Sequence, residues 1–179
     1  MTPEQLTTLR TAVLADPALS AVGRNDTELA RLLNLPSSTY VWRSTTPADE
    51  VADAILWDRL TPADAPDGTA IQTNRLLLCQ AKQMNLQVLL QGRDSIGTGR
   101  ANLRAGLTDA LLNVPSGVGG ATVDAGWLGA GRVKATITRL ATVAEKVFAN
   151  GTGTSGNPAV LGWEGTVTIA DIGEMWNLG

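Results

Sequence analysis

The sequence predicts a mainly α protein: a helical bundle of about six helices, with a small β pairing and a short C-terminal helix. Three observations carry this expectation. Start signals such as Thr2-Pro3-Glu4-Gln5, Asn25-Asp26-Thr27-Glu28 and Thr46-Pro47-Ala48-Asp49 recur, and leucines and valines follow them at helical spacing. Strand-like runs are confined to Tyr40–Arg43 and Ala159–Val167. With 179 residues, 44% of them hydrophobic and 17% charged, the chain has the length for one domain and enough apolar residues for a real core.

The first helix begins with a hydroxyl at the N-cap, proline where its missing N–H costs nothing, and Gln5 closing a capping box. Leu6, Leu9, Val13 and Leu14 follow, up to Asp16-Pro17. Asn25 starts a shorter second helix whose apolar face is Leu29, Leu32 and Leu33, ended by Leu35-Pro36. Thr46 is the expected cap of a third, running through Val51, Ile55 and Leu56 to Thr61-Pro62. A long fourth helix is expected from near Thr69 to Gly92, a glycine placed to be a left-handed C-cap. Leu77, Ala81, Met84 and Val88 make one apolar stripe on it, and Leu76, Leu78, Cys79, Leu86 and Leu89 widen that stripe, as in a central helix. Gln80, Gln83, Gln87 and Gln91 form a row of uncharged amides that either faces solvent or meets a neighbouring subunit.

Ten of the 19 glycines lie between Gly92 and Gly131, which places turns around a fifth helix from Arg100 to Val114. A sixth is expected unbroken from Arg132 to Asn150, closed by Gly151, with a loop from Thr152 to Pro158. Thr168-Ile169-Ala170-Asp171 is a last capping box, opening a short helix with Ile172, Met175 and Trp176. The expected organisation is a helical domain over 1–158, with glycine-rich loops at 92–99 and 115–131. Residues 159–179 would form an extended segment plus short helix that pairs with Tyr40–Arg43 and serves as a docking arm.

The residues that are missing exclude much chemistry. There is no histidine, so the commonest general base, the usual nitrogen ligand of zinc and the Ser-His or Cys-His nucleophile pair are all absent. The lone Cys79 rules out a disulfide framework. Glu4 and Arg10 interrupt any apolar leader at the N-terminus, and polar residues break the Leu76–Leu90 run, so a soluble protein in a reducing compartment is expected, without a membrane.

Gly151-Thr152-Gly153-Thr154-Ser155-Gly156 matches GxGxxG, but it follows a helix and precedes a proline and a strand, the reverse of a pyrophosphate-binding context. Gly97-Thr98-Gly99-Arg100 lacks the third glycine, and Gly129-Ala130-Gly131-Arg132-Val133-Lys134 is no Walker A. Asp49, Glu50, Asp53, Asp58, Asp64 and Asp67 crowd together, and Asp49 and Asp53 share a helical face, yet a solvated acidic helix accounts for them. No catalytic residue, cofactor or metal ligand set is expected, and the chain reads as no enzyme.

Charge is laid out in blocks. Residues 1–67 carry 10 acids and 5 bases, residues 68–158 carry 4 acids and 9 bases, and residues 159–179 carry 3 acids and no base. Arg93, Arg100, Arg104, Arg132 and Lys134 are candidate channel-lining or inter-subunit residues. Without aromatic interleaving, the acid-base-acid layout favours head-to-tail contacts between identical copies over dedicated nucleic-acid binding. Trp176, close to the end of the sequence, is the expected anchor in a partner's pocket, with Met175, Ile172 and Trp163 beside it.

Several phrases carry a resemblance. Arg100-Ala101-Asn102-Leu103-Arg104-Ala105-Gly106-Leu107, the run from Leu140 to Thr154, and Glu164-Gly165-Thr166-Val167-Thr168 with Asp171 and Trp176 resemble the head-to-tail adaptor, or neck, proteins of long-tailed bacteriophages. Asp16-Pro17-Ala18-Leu19 and Val41-Trp42-Arg43 fit the same group, so the likeness covers most of the chain. It implies a mainly helical virion protein forming a ring, usually of twelve copies, at the head-tail interface. Its partners would be the portal protein, the next neck or tail-completion protein, and packaged DNA passing through without sequence-specific contact; before assembly it would sit in the host cytoplasm. The alternative is a small DNA-binding or tail-completion accessory protein.

Overall fold

The computed structural model describes residues 1–60, 73–111 and 129–178. Within them the chain is mainly helical, with small two-stranded sheets. It divides into two compact units, Met1–Trp42 with Arg139–Gly179, and Arg43–Thr138. That division differs from the boundary expected at 158/159, because the tail packs back onto the first helices instead of standing apart.

In the first unit, α1 (Pro3–Ala15) has the expected capping box: the Gln5 amide N–H donates to Thr2 Oγ1 at 3.3 Å, and Gln5 Oε1 accepts from the Thr2 amide at 2.9 Å. Asp16 does more than end it. Its carboxylate accepts from the amides of Ala18 and Leu19 and so opens a further turn, α2 (Pro17–Ser20), that the Asp-Pro pair alone does not predict. In α3 (Asp26–Leu33) the cap is Asn25, as expected. The strand β1 (Pro36–Trp42) then pairs with β4 (Thr138–Thr142).

Here the expected unbroken helix over 132–150 fails. The segment is instead α8 (Gly129–Thr136), β4, α9 (Val143–Val147) and β5 (Ala149–Asn150). The physical reason is local as well as tertiary. Ile137, Thr138, Thr142 and Val143 are β-branched, and Thr142 with Glu145 forms a fresh capping box that starts a new helix. Hydrogen bonds to this segment from β1 and the residue before it, Ser37 Oγ to Ala141 O at 2.8 Å and Val143 N–H to Leu35 O at 2.9 Å, reward the break.

The expected pairing of Tyr40–Arg43 with Ala159–Val167 is met only by a parallel bridge of Val41 with Ala159; β5 is the strand that pairs with β6 (Val160–Leu161). The tail helix α10 (Ile169–Asn177) has the expected Thr168–Asp171 capping box and packs on α1 and α3. The core of the unit holds Leu6, Leu9, Val13, Leu19, Leu29, Leu33, Ala144, Val167, Ile172 and Met175.

The second unit contains β2 (Thr46–Pro47), α4 (Ala48–Ala54), α5 (Trp57–Leu60), α6 (Thr73–Leu90), β3 (Ser95–Ile96) and α7 (Ala101–Leu111), together with α8. Thr46 is not the N-cap of α4. It is wholly buried in β2, and its hydroxyl bonds that of Thr98 at 2.9 Å, while Thr98 Oγ1 donates to Arg43 O at 2.7 Å. Helix α6 ends as expected, with Gly92 at φ +70°, but its expected start near Thr69 lies outside the described residues. So does the expected C-terminal part of the fifth helix, Asn113 and Val114 with Pro115 beyond. Helix α6 packs on α5, α7 and β3, and α4 and α7 each pack on α8.

Candidate interaction surfaces

The proposed anchors of a docking arm belong to their own unit. Ile172 and Met175 are fully buried in the first unit's core, and Trp163 and Trp176 pack half-buried against it. Trp163 meets Phe148 edge-on, ring centroids 5.6 Å apart, and the Arg24 guanidinium lies 5.9 Å from the Trp176 ring centroid. Both ends of α10 are tied down. The Met1 amino group lies 3.0 Å from the Asp171 carboxylate, and Arg10 donates to the Leu178 carbonyl. The expectation of an arm reaching for a partner is therefore corrected, because a two-turn amphipathic helix is unstable alone and the open face between α1 and α3 is the nearest apolar surface.

The basic residues do not converge. Arg93 and Arg100 are exposed, and Lys134 is half-buried. Arg104 turns inward, donating to the carbonyls of Thr98 and Gly99 at 3.0 and 2.6 Å, and burial lowers its pKa. Exposed Arg132 lines an open groove of about 670 Å³ with Arg43, Glu50 and Asp53, so carboxylates stand beside it; Arg43 and Glu50 form an ion pair at 2.6 Å. Among the described residues no three His, Cys, Asp or Glu side chains are grouped to hold a metal ion, and Asp64 and Asp67 lie outside the described residues.

The glycine-rich motifs are structural. Gly151 and Gly153 have φ of +122° and +67°, and a Cβ on Gly153 would collide with the Thr39 side chain. Thr154 and Asn157 close the loop on itself with reciprocal backbone hydrogen bonds of 3.1 and 3.2 Å. At Gly97-Thr98-Gly99, the amides of Thr98 and Gly99 already donate to Ile96 O and Ser44 O, so neither is open to an anion.

Two features escape a reading by motif. Glu145 is 3% exposed and takes a bidentate pair from Arg139 at 2.6 and 2.8 Å, plus the amides of Thr142 and Gly165. Burial pushes its carboxyl up, but these donors outweigh burial and hold it below the usual range. Arg139 also binds Glu164 at 2.8 Å, which fastens the segment before α10 to β4. The Thr142-x-x-Glu145 spacing was the available signal.

The second feature is the apolar stripe of α6. It was expected inside, yet Leu77, Met84 and Val88 are 57%, 66% and 73% exposed, and Ala81 is exposed between them. The buried side is the opposite one, with Cys79, Lys82 and Leu86, where the Lys82 ammonium donates to the Asp109 carbonyl at 2.5 Å. Beside the stripe runs an open groove of about 530 Å³, lined by Ala48, Ala52, Trp57 and Leu90 with Gln83 and Gln87. Among the described residues no helix is long and apolar enough to cross a membrane. Comparison with protein-family models, curated proteins and solved structures finds no match to this chain.

Proposed function

We propose that this chain is a structural subunit of the phage neck, a ring of identical copies that joins the portal of the DNA-filled head to the tail and continues the DNA channel. One observation supports the reading above the others. Most of the phrases that resemble the neck adaptors, though far apart in sequence, fall in the first unit, while Arg100–Leu107 lies at the start of α7 in the second. Asp16-Pro17-Ala18-Leu19 caps and forms most of α2, Leu140–Thr154 supplies most of β4 with α9 and β5, and Thr168 with Asp171 makes the capping box of α10, the helix that carries Trp176. By the same resemblance the ring has twelve copies and lies between the portal and the next neck or tail-completion protein. Basic residues interleaved with Asp53, Glu50 and Asp49 suit a surface past which DNA slides without being held.

Electron cryomicroscopy of particles from the phage that encodes the chain tests the reading. Rotationally symmetric density fitting both units between head and tail is the expected result. Recovery of the chain only in infected-cell cytoplasm, never in particles, overturns it.

A further inference from the structure

We propose that Asn150 is a site of self-modification in the folded protein: the backbone nitrogen of Gly151 closes on the Asn150 carboxamide, and water opens the resulting cyclic imide to aspartate and isoaspartate. The inference is independent of the neck reading and uses only groups of the first unit.

Asn150-Gly151 is the single Asn-Gly pair in the sequence. A side chain on the residue after an asparagine shields the attacking nitrogen, and glycine has none. At Asn157-Pro158 that nitrogen carries no hydrogen at all. The fold itself demands glycine at 151. Its φ is +122°, and a Cβ there would stand 3.3 Å from Ala159 Cα, so no shielding side chain fits without strain.

Both reacting groups are open. Asn150 and Gly151 are exposed, and among the described residues neither the Asn150 carboxamide nor the Gly151 N–H makes a hydrogen bond. An extended asparagine holds the next nitrogen away from its own carboxamide, so attack needs a turn about the Asn150 backbone. Asn150 is the last residue of the two-residue strand β5, where it pairs with Val160, and the turn opens only that final pair. Gly151 and Thr152, which must swing, make no backbone hydrogen bond among the described residues. The loop beyond them is anchored separately, by Tyr40 N–H to Gly153 O at 2.8 Å and by the Thr154–Asn157 bonds. Fraying of a strand end is far less costly than global unfolding.

Other asparagines are held. The Asn34 carboxamide donates to Ala30 O and Val167 O, both at 2.8 Å, and accepts from the Val167 amide at 2.9 Å. After Asn177, the Leu178 N–H is bonded to Glu174 O at 3.1 Å, and Asn85 lies inside α6.

In the first step hydroxide takes the Gly151 amide proton, the nitrogen attacks Asn150 Cγ, the Cγ–Nδ2 bond breaks and ammonia leaves with a proton from water. Water then adds to the five-membered ring. Addition at Cγ restores the ordinary backbone with aspartate, whereas addition at the Asn150 main-chain carbonyl leaves the chain running through Cβ as isoaspartate. One water is consumed and one ammonia released, with no oxidant or reductant. Either product adds a negative charge, and isoaspartate also lengthens the main chain just before the loop that reaches Tyr40.

The full chain is incubated in warm, mildly alkaline buffer with and without urea, then mapped by peptide mass spectrometry with enzymatic methyl labelling of isoaspartate. Asn150 should be modified ahead of every other asparagine in the folded protein, giving both products. A reaction that waits for global unfolding would be slowed at least about a thousandfold relative to urea, whereas local fraying should slow it by no more than about a hundredfold. Greater suppression than that, or another asparagine reacting first, overturns the assignment. Aspartate without isoaspartate overturns the imide, because direct hydrolysis of the side chain gives aspartate alone. Asn150→Gln, whose ring would need six members, should keep the wild-type circular dichroism and stay intact at 150. Loss of its amide at the wild-type rate would equally exclude attack by Gly151.

Discussion

Replacing Met175 by alanine decides whether α10 is part of a core or an arm that waits for a partner. Met175 is fully buried, in one cluster with Leu6, Leu9, Leu29, Leu33 and Ile172. Removing its thioether from between packed helices costs the transfer of the lost atoms and leaves a cavity that α1 and α3 cannot close without moving their own buried leucines. Truncations of that kind cost about 2–5 kcal/mol, and the upper half of the range is expected at a fully buried site. Against a net domain stability of roughly 5–15 kcal/mol, this is a large fraction. Urea denaturation followed by tryptophan fluorescence reads the loss, with Trp163 and Trp176 reporting from the same unit. Ile169→Ala on the same helix is the control, because Ile169 is 54% exposed and its truncation should shift stability by at most about 0.5 kcal/mol. A Met175→Ala protein with the wild-type midpoint and a defect confined to particle assembly would refute the packing argument and restore the docking arm.

Two further predictions follow from the first unit. Gly153→Ala should destabilise the protein by about 1–3 kcal/mol, because its left-handed backbone and the Thr39 contact both exclude a Cβ; Gly92→Ala, left-handed with open space around it, should cost about 1 kcal/mol, and equal losses in thermal melts would contradict this. The carboxyl of Glu145 is held below its ordinary range, so the unfolded chain binds its proton first and stability present at neutral pH is lost as pH falls below about 4.3 through the folded value. Glu145→Gln should remove about 1.5–3 kcal/mol at pH 7 and flatten that acid limb, and an unchanged limb in urea titrations from pH 7 to 3 would exclude Glu145 as its source.

Local grammar was readable wherever its partners are close in sequence. The capping boxes at Thr2 and Thr168, the Asn25 cap and the left-handed Gly92 are each set by a few neighbouring residues, and the structure has them where the sequence puts them. The Thr142 box is equally local, but the helical periodicity of the sequence runs straight through it and hides the break. Thr46 departs from the expected cap for the opposite reason. A Thr-Pro pair caps a helix only when its hydroxyl has nothing better to bond, and the Thr98 hydroxyl, far along the chain, is buried against it.

What the sequence determined by itself is therefore the helical class, the starts of α1, α3, α7 and α10, the absence of histidine and the charge blocks, because these depend on composition and on contacts within a turn or two. Tertiary structure alone decided which side of α6 is inside and what the apolar face of α10 packs against. Helix α6 has two apolar faces of similar strength, and periodicity cannot choose between them; packing on α5, α7 and β3 buried Cys79 and Leu86 and left Leu77, Met84 and Val88 outside. Likewise, Ile172 and Met175 suit a partner's pocket as well as their own core. The face of α10 is buried at home because α1 and α3 offer apolar surface within reach of the same chain, and an intramolecular contact of that kind forms without the entropy cost of bringing two molecules together.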